Sequence, residues 1–454
     1  MTHRTTTPLS FSTVNGRKLT AEFSAGHLTT DAGLLLLREA DKQIGLTAAT
    51  NAAIADPRVP ERIVHPQQTI LAQRIYALAQ GHEDLNDHEH LRLEPLWQAA
   101  TDHPEVDGSA ELSSAPTLCR FENRITRHDL VRIAAVLVDQ FVASFDTPPE
   151  ELTLDIDATD DPIHGHQEQH FFHGYYDHDC FLPLYITCGS QLLVAYLRPS
   201  DIGADRHARA IIRLLVTRLR QSWPGVKILI RGDGGFCRWR LMRWCDKNDI
   251  RYIFGLPRNA VLERMSAEWL AQVRTAHEID GQSHRVFGTI SYAAESWDRP
   301  RRVIVKAEHL RGTEGGKSNP RYIVTNLGGD AQTMYEDVYC QRGDSENRIK
   351  EQQLGLFADR TSCHAFLANM FRVLLSALAY VLVEHIRRTA LVGTELEKAE
   401  VGTIRKRLFR IAAWVVQSVR RWYVRLSRHY VWQDLFALVA HRLQSRRPPE
   451  FSSS

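Results

Sequence analysis

The chain has 454 residues, enough for two or three domains with a large buried core. Its hydrophobic fraction of 43% and charged fraction of 24% are ordinary for a soluble globular protein, and a net charge of +2 argues for no partner by itself. The seven cysteines are odd in number and form no Cys-x-x-Cys pair, which excludes a disulfide framework and a structural zinc site and fits a reducing cytoplasm.

The N-terminus, MTHRTTTPLSFS, has no apolar signal core. Residues 10–24 predict a β-hairpin turning at Asn15-Gly16, and the segment that follows predicts a helix starting at a Thr/Asp cap. Further helices are expected at 66–80, 85–99 and 126–145. This mainly helical region, 1–148, suits a reader of DNA ends and a plain scaffold equally.

From 151 the texture changes. Leu152–Asp157 alternates apolar and polar residues, so it reads as a strand with Asp155 and Asp157 on one face. Strands at 181–188 and 191–199 follow, parted by the hairpin signal Gly189-Ser190. A helix at 204–221, a strand at 227–233, a helix at 236–247 and a strand at 251–256 complete the run. Three antiparallel strands, then helix, strand, helix and strand, is the order of a ribonuclease H-like α/β fold. The expected catalytic domain spans 149–360, with a β-rich insertion at 280–328 in front of its last helix.

From 331 onward the sequence reads as helical almost to its end. Phe366–Val383 is apolar for 18 residues with Arg372 near its middle, and is read as a buried helix rather than a membrane span. Residues 361–447 form a basic helical region for DNA binding or dimerisation, and 448–454 a disordered tail. Residues 401–454 carry eleven Lys or Arg against Asp434 and Glu450. Arg405, Lys406, Arg407, Arg420 and Arg421 are candidates for phosphate contacts, although a helix that packs its apolar side and solvates its arginines has the same pattern.

Carboxylates on an apolar strand are costly to bury unless compensated, and a divalent cation compensates them. Asp157, Asp233 after KILIRG, and Glu346 in YCQRGDSENRIKEQQ supply three such acids. On the helix expected at 331–353, Tyr339, Arg342, Glu346, Lys350 and Gln353 project onto an arc of about 80°. That face suits metal and phosphate contacts; a solvated face with the pair Arg342–Glu346 would look alike. Two Mg²⁺ ions held by two Asp and one Glu would serve phosphodiester cleavage and joining, and Mn²⁺ could replace them. Asp155 is a supporting acid, and Asp160-Asp161-Pro162 reads as a turn. The cluster His164, His166, His170, His173 and His178 offers a zinc reading, but with no neighbouring cysteine pair and no helical His-x-x-x-His at an acid it better suits DNA contacts or a local hydrogen-bond network. Gly232-Asp233-Gly234-Gly235 lacks the lysine of a nucleotide-binding loop.

Together these residues resemble the DDE transposases of bacterial insertion sequences, in the branch with a Tyr-Arg-Glu-Lys signature. LDIDATDDPIHG resembles the first catalytic strand and points to Asp157; LIRGDGGF resembles the second, with Asp233. Tyr339, Arg342 and Glu346 match Tyr-x2-Arg-x3-Glu. GHEDLNDHEHLR (81–92) and LSSAPTLCRFEN (112–123) resemble one subgroup. The signature has Lys seven residues after Glu, where this chain has Gln353, and Lys350 lies one turn nearer. The resemblance implies a cytoplasmic, nucleoid-associated enzyme that cleaves double-stranded DNA at terminal inverted repeats and joins it to target DNA as a homodimer. Asp157, Asp233 and Glu346 would hold the metal, and Tyr339, Arg342 and Lys350 would position phosphates. The other two readings are an inactive DNA-binding descendant and a nuclease that cuts without joining.

Overall fold

The computed structural model describes residues 8–103, 111–312, 316–418 and 421–445. Arg420, the expected disordered tail and the middle of the RGTEGGKSNP loop lie outside the described residues. The chain divides into two compact units. One comprises residues 1–51, 56–121 and 385–454; the other comprises residues 52–55 and 122–384. Residues 8–51 and 421–445 thus share one unit, whereas the sequence pattern divides terminal regions at 148 and 361.

The larger unit is built on a nine-stranded mixed sheet. Its strands are β1 (Glu151–Ala158), β2 (Leu184–Cys188), β3 (Gln191–Tyr196), β4 (Lys227–Gly232), β5 (Arg251–Leu256), β6 (His284–Tyr292), β7 (Arg301–Leu310), β8 (Lys317–Ser318) and β9 (Arg321–Thr325). They run in the order β6-β7-β9-β5-β4-β1-β2-β3, with β8 beside β7. β1, β4 and β5 are mutually parallel, and every other pairing is antiparallel. The β-rich segment after residue 280 is therefore an extension of this sheet.

The two faces of the sheet do different jobs, and the period-2 alternation decides which residue goes where. Leu152, Leu154 and Ile156 of β1, with Ile228 and Ile230 of β4, enter the main core. That core is closed by the helices Arg127–Ala143, Ala208–Ser222 and Trp239–Lys247 through Phe141, Ile212, Leu219 and Met242. On the opposite face Leu229, Ile253, Ile304 and Ile323 pack against Tyr335, Met334 and Val338 of the helical run that starts at Ala331. Asp155 and Asp157 belong to this second face, which brings them under that run.

The run departs from the straight helix expected at 331–353. It passes through a wide π turn at Met334–Tyr339, a tight 3-10 turn at Cys340–Arg342, an α segment at Gly343–Lys350 and a second π turn at Glu351–Gly355. Each π turn holds roughly one residue more than an α turn, which turns Gln353 away from the regular helical projection while Arg342 still bonds Glu346 one turn on. The helix Phe366–Ala390 is long and apolar enough to cross a membrane, yet 83% of its apolar window is buried. Its Arg372 Nε donates to the fully buried Glu122 carboxylate at 2.7 Å.

The smaller unit holds the hairpin Leu9–Val14/Arg17–Ala21, whose turn residues Asn15 and Gly16 both adopt positive φ. The expected Thr/Asp cap is absent. Gly33 precedes helix Leu34–Ile44, and Asp31 instead accepts hydrogen bonds from His82, Trp97 and Arg410. The helix expected at 85–99 is divided into short pieces, the last of which starts afresh at Pro95. Downstream of a short helical turn at Val401–Phe409, the expected C-terminal helix is a hairpin. Ala413–Ser418 pairs with Arg421–Leu426 and with Leu28–Thr29. The β-branched and aromatic runs Trp414-Val415-Val416 and Trp422-Tyr423-Val424 suit a pleated surface.

Candidate active site

Parallel pairing in register sets Arg231 of β4 beside Asp155 of β1. The guanidinium grips that carboxylate with both prongs, at 2.5 and 2.7 Å, and donates a third bond to the Val338 carbonyl at 2.6 Å. Asp155 is 3% exposed, so a buried acid meets a buried base, and burial still raises its carboxyl against the pull of Arg231. The pair ties two strands to the helical run, which makes Asp155 a structural acid.

Two residues on, at the carboxyl end of β1, Asp157 meets a different arginine. Arg342 Nη1 donates to Asp157 Oδ2 at 3.0 Å, and Nη2 donates to Glu346 Oε1 at 2.5 Å. Asp157 Oδ1 also accepts from the amide of Ala158. Burial pushes the Asp157 carboxyl up to about 6; Arg342 pulls it down, but the nearby negative charges of Asp233 and Glu346 oppose that pull. Asp157 and then Glu346 raise the pKa of Arg342 against its own burial. Asp233 follows the end of β4 and caps a short 3-10 turn, Oδ1 accepting from the Gly235 amide at 2.9 Å.

Tyr339 comes off the first π turn. A side-chain carbon placed on Gly255 of β5 would lie 2.7 Å from the Tyr339 hydroxyl and 2.9 Å from the Gly234 amide, so only glycine leaves room there. Burial raises the Tyr339 phenol, with Arg342 lowering it and Asp233 raising it. Lys350 is exposed and has no ion pair among the described residues. Gln353 does reach the site's edge, donating to the Asp160 carbonyl at 2.8 Å.

The donor set fits a hard divalent cation in kind: carboxylate oxygens, with Asp233 and Glu346 near enough to add to the rise of the Asp157 carboxyl. Arg342 stands between Asp157 and Glu346 as their counter-charge. Among the described residues, no three donors lie close enough together to share one ion.

The histidine-rich segment forms a small three-stranded sheet beside this site. His178 Nε2 lies 3.0 Å from Asp160 Oδ2, His170 Nδ1 lies 3.4 Å from Asp179, and His173 packs on Tyr176. Burial and the charges of Asp160, Asp157 and Asp233 push the Tyr176 phenol upward, which puts this ring within electrostatic reach of the acids. Asp161, read as a turn residue, is buried; Thr361 Oγ1 donates to it at 3.0 Å, and burial pushes its carboxyl up to about 8.

Of the basic candidates, Arg405 is turned inward. Its guanidinium donates to the Leu78 and Ala79 carbonyls at the end of helix Gln67–Gln80, and burial pushes it down to about 10. Arg407 stacks on Trp432 at 4.5 Å. Lys406 and Arg421 are exposed. Arg231 and Tyr176 were not singled out from sequence. Arg231 was findable, because alternation along LIRGD puts it on the face of Asp155.

A family model described as transposase DDE domain group 1 matches residues 11–448. The chain therefore belongs to that family. No curated protein matches it significantly. Among solved structures, the chain is similar to the piggyBac transposase in a cryo-EM synaptic complex with hairpin DNA. That likeness has 10% identity and a TM-score of 0.41, over 94% of this chain and 87% of the other.

Proposed function

We propose that this member of the transposase DDE domain group 1 family is the transposase of a bacterial insertion sequence. It would cleave double-stranded DNA at terminal inverted repeats and join the 3′ ends to target DNA by a cut-and-paste route. The observation that carries the reading is the convergence of Asp157, Asp233 and Glu346, far apart in sequence, on one electrostatic neighbourhood at the carboxyl ends of two parallel strands. The strand order β3-β2-β1-β4-β5, antiparallel through the first three and parallel after β1, supports a ribonuclease H-like core.

Asp157, Asp233 and Glu346 would hold Mg²⁺, or Mn²⁺ in its place. Bound there, the metal would activate the attacking water or 3′-hydroxyl and neutralise charge on the phosphate. Arg342 would leave the carboxylates for the phosphate, its fork matching two oxygens. Tyr339 would fix the pivot of that arginine, and Lys350, with Lys406 and Arg421, would contact the backbone. Gln353 holds the turn at Asp160, so the phosphate contact of the signature lysine would fall to Lys350. Two paired DNA ends call for a homodimer on DNA.

The test is cleavage and strand transfer on a fragment carrying the element's own end, with Mg²⁺, for wild type, Asp157→Ala and Asp233→Ala. Joined products from wild type, with both variants binding but neither cutting nor joining, would support the proposal. Binding without cleavage by wild type would leave an inactive descendant, and cleavage without joining a simple nuclease.

A further inference from the structure

Beside the Asp233 turn lies a cavity of about 320 Å³ lined by Asp205, Arg206, His207, Arg209, Arg238 and Arg240, together with Ala208, Ala210 and Leu241. Four arginines face one carboxylate there. Asp205 pairs with Arg238 at 3.2 Å, while Arg206, Arg209 and Arg240 are exposed and have no ion pair among the described residues.

The loop that presents them is built rather than incidental. Arg198 is fully buried, and its guanidinium donates to the carbonyls of Leu182, Ala204 and Arg206 at 2.8, 2.9 and 2.7 Å. Burying a guanidinium is unfavourable unless its bonds are met; here Nε and Nη1 are bonded while Nη2 is buried without a partner among the described residues, and the bonds to Ala204 and Arg206 fix the loop that carries Arg206 and His207. His207 holds a left-handed backbone with φ +65° and precedes the 15-residue helix Ala208–Ser222, whose first turn has no acid and no side-chain cap. The helix therefore adds its positive end to the arginines.

The pocket also adjoins the candidate acids. A side-chain carbon on Gly235, whose amide Asp233 accepts, would lie 3.0 Å from Ala204 Cβ, and Arg238 and Arg240 continue the chain from that same turn.

We propose that this arginine pocket binds backbone phosphates of the DNA strand that runs past Asp233, a few nucleotides from the phosphate at the acids. The proposal rests on the transposase reading for its ligand and goes beyond it in naming a second anionic site. The pocket grips the strand without touching the reacting atoms, so it sets position and affinity.

The test follows binding of the full chain to a fluorescent duplex over a range of salt concentrations. Arg206→Gln with Arg240→Gln should flatten the plot of log affinity against log salt by roughly 0.9 per lost phosphate contact, about two in all. Arg206→Lys with Arg240→Lys should restore the slope. Lys227→Gln, at the opposite end of β4 from Asp233, should leave it unchanged. An unchanged slope in the double Gln variant, or an equal loss in Lys227→Gln, overturns the pocket. Cleavage of the element's end is assayed on the same wild-type protein. A flattened slope with no cleavage leaves the pocket standing and removes the transposase reading; normal cleavage with an unchanged slope does the reverse.

Discussion

Asp155 and Asp157 sit two residues apart on the same face of one strand, and each meets an arginine. Arg231 gives Asp155 both prongs and a buried setting, and it is itself anchored on the Val338 carbonyl. Arg342 gives Asp157 one bond and Glu346 the other, and the Glu346 side chain is 45% exposed. A closed pair is a strut, because its bonds tie two strands to the helical run and leave neither charge to share with another ion. A shared arginine leaves its acids under-compensated and open to a stronger cation. Burial raises both carboxyls despite their arginines, and at Asp157 the negative charges of Asp233 and Glu346 add to the rise.

The sharpest break of the comparison exchanges activity for stability. Asp157→Ala should lower DNA cleavage by on the order of 10³-fold, since metal stabilisation of the transition state is worth several kcal/mol. Its melting temperature should hold or rise, because a carboxylate made unfavourable by burial is gone. Asp155→Ala should do the opposite first: leaving Arg231 buried without its partner costs about 3–5 kcal/mol, read as a lower denaturant midpoint. Equal loss of stability in both variants would erase the distinction.

Next comes Arg342. Removing a counter-charge that competes with a metal should tighten Mn²⁺ binding in Arg342→Gln by about tenfold, or ~1.4 kcal/mol, by calorimetry without DNA. Cleavage should fall at the same time, because the phosphate loses its fork. Weaker Mn²⁺ binding would mean that Arg342 organises the acids instead of standing in for their ion.

The pH dependence tests the same deficit. The folded-state value for Asp157 is about 6, against 3.8 for the ordinary group, so the folded protein holds the extra proton between those limits. The contribution of this group to stability therefore falls as pH rises from about 4 to 6, and Mn²⁺ affinity rises through the same window before levelling. Asp157→Asn should flatten the stability trend. Asp161 provides a second slope, extending to about pH 8, which Asp161→Asn should remove separately.

How much of this was legible depends on where each signal was stored. Alternation in LTLDID placed the two aspartates on one face, and the spacing of Tyr339, Arg342 and Glu346 placed an arginine within one turn of an acid. Periodicity failed where the backbone left the regular period. Gln353 lies within the π turn at 351–355 and reaches the Asp160 carbonyl, while Lys350 just before it is exposed, and nothing in a helical projection encodes an extra residue per turn. The C-terminal hairpin was missed for another reason. Its apolar residues fit both periods, and its partner strand, Leu28–Thr29, comes from the far end of the chain. Arg405 shows the same limit for charge: its guanidinium closes the end of a helix that sequence does not place beside it.

The smallest expected effect concerns Gln353, which stands where the signature has lysine. Its amide holds the Asp160 carbonyl, three residues beyond Asp157, so it steadies the turn leaving the strand on which that acid sits. Gln353→Ala should cost about 1 kcal/mol, the ordinary net worth of one hydrogen bond, and the Asp155 pair should absorb none of the loss because it lies on the inner side of Asp157. Gln353→Lys discriminates further. A lysine can donate to the same carbonyl while adding a charge toward the DNA, so it should keep the denaturant midpoint and steepen the salt dependence of DNA binding by roughly 0.9. A lysine that loses the midpoint and leaves the slope alone would show that position 353 is a strut like Asp155, and that the phosphate contact has to come from Lys350.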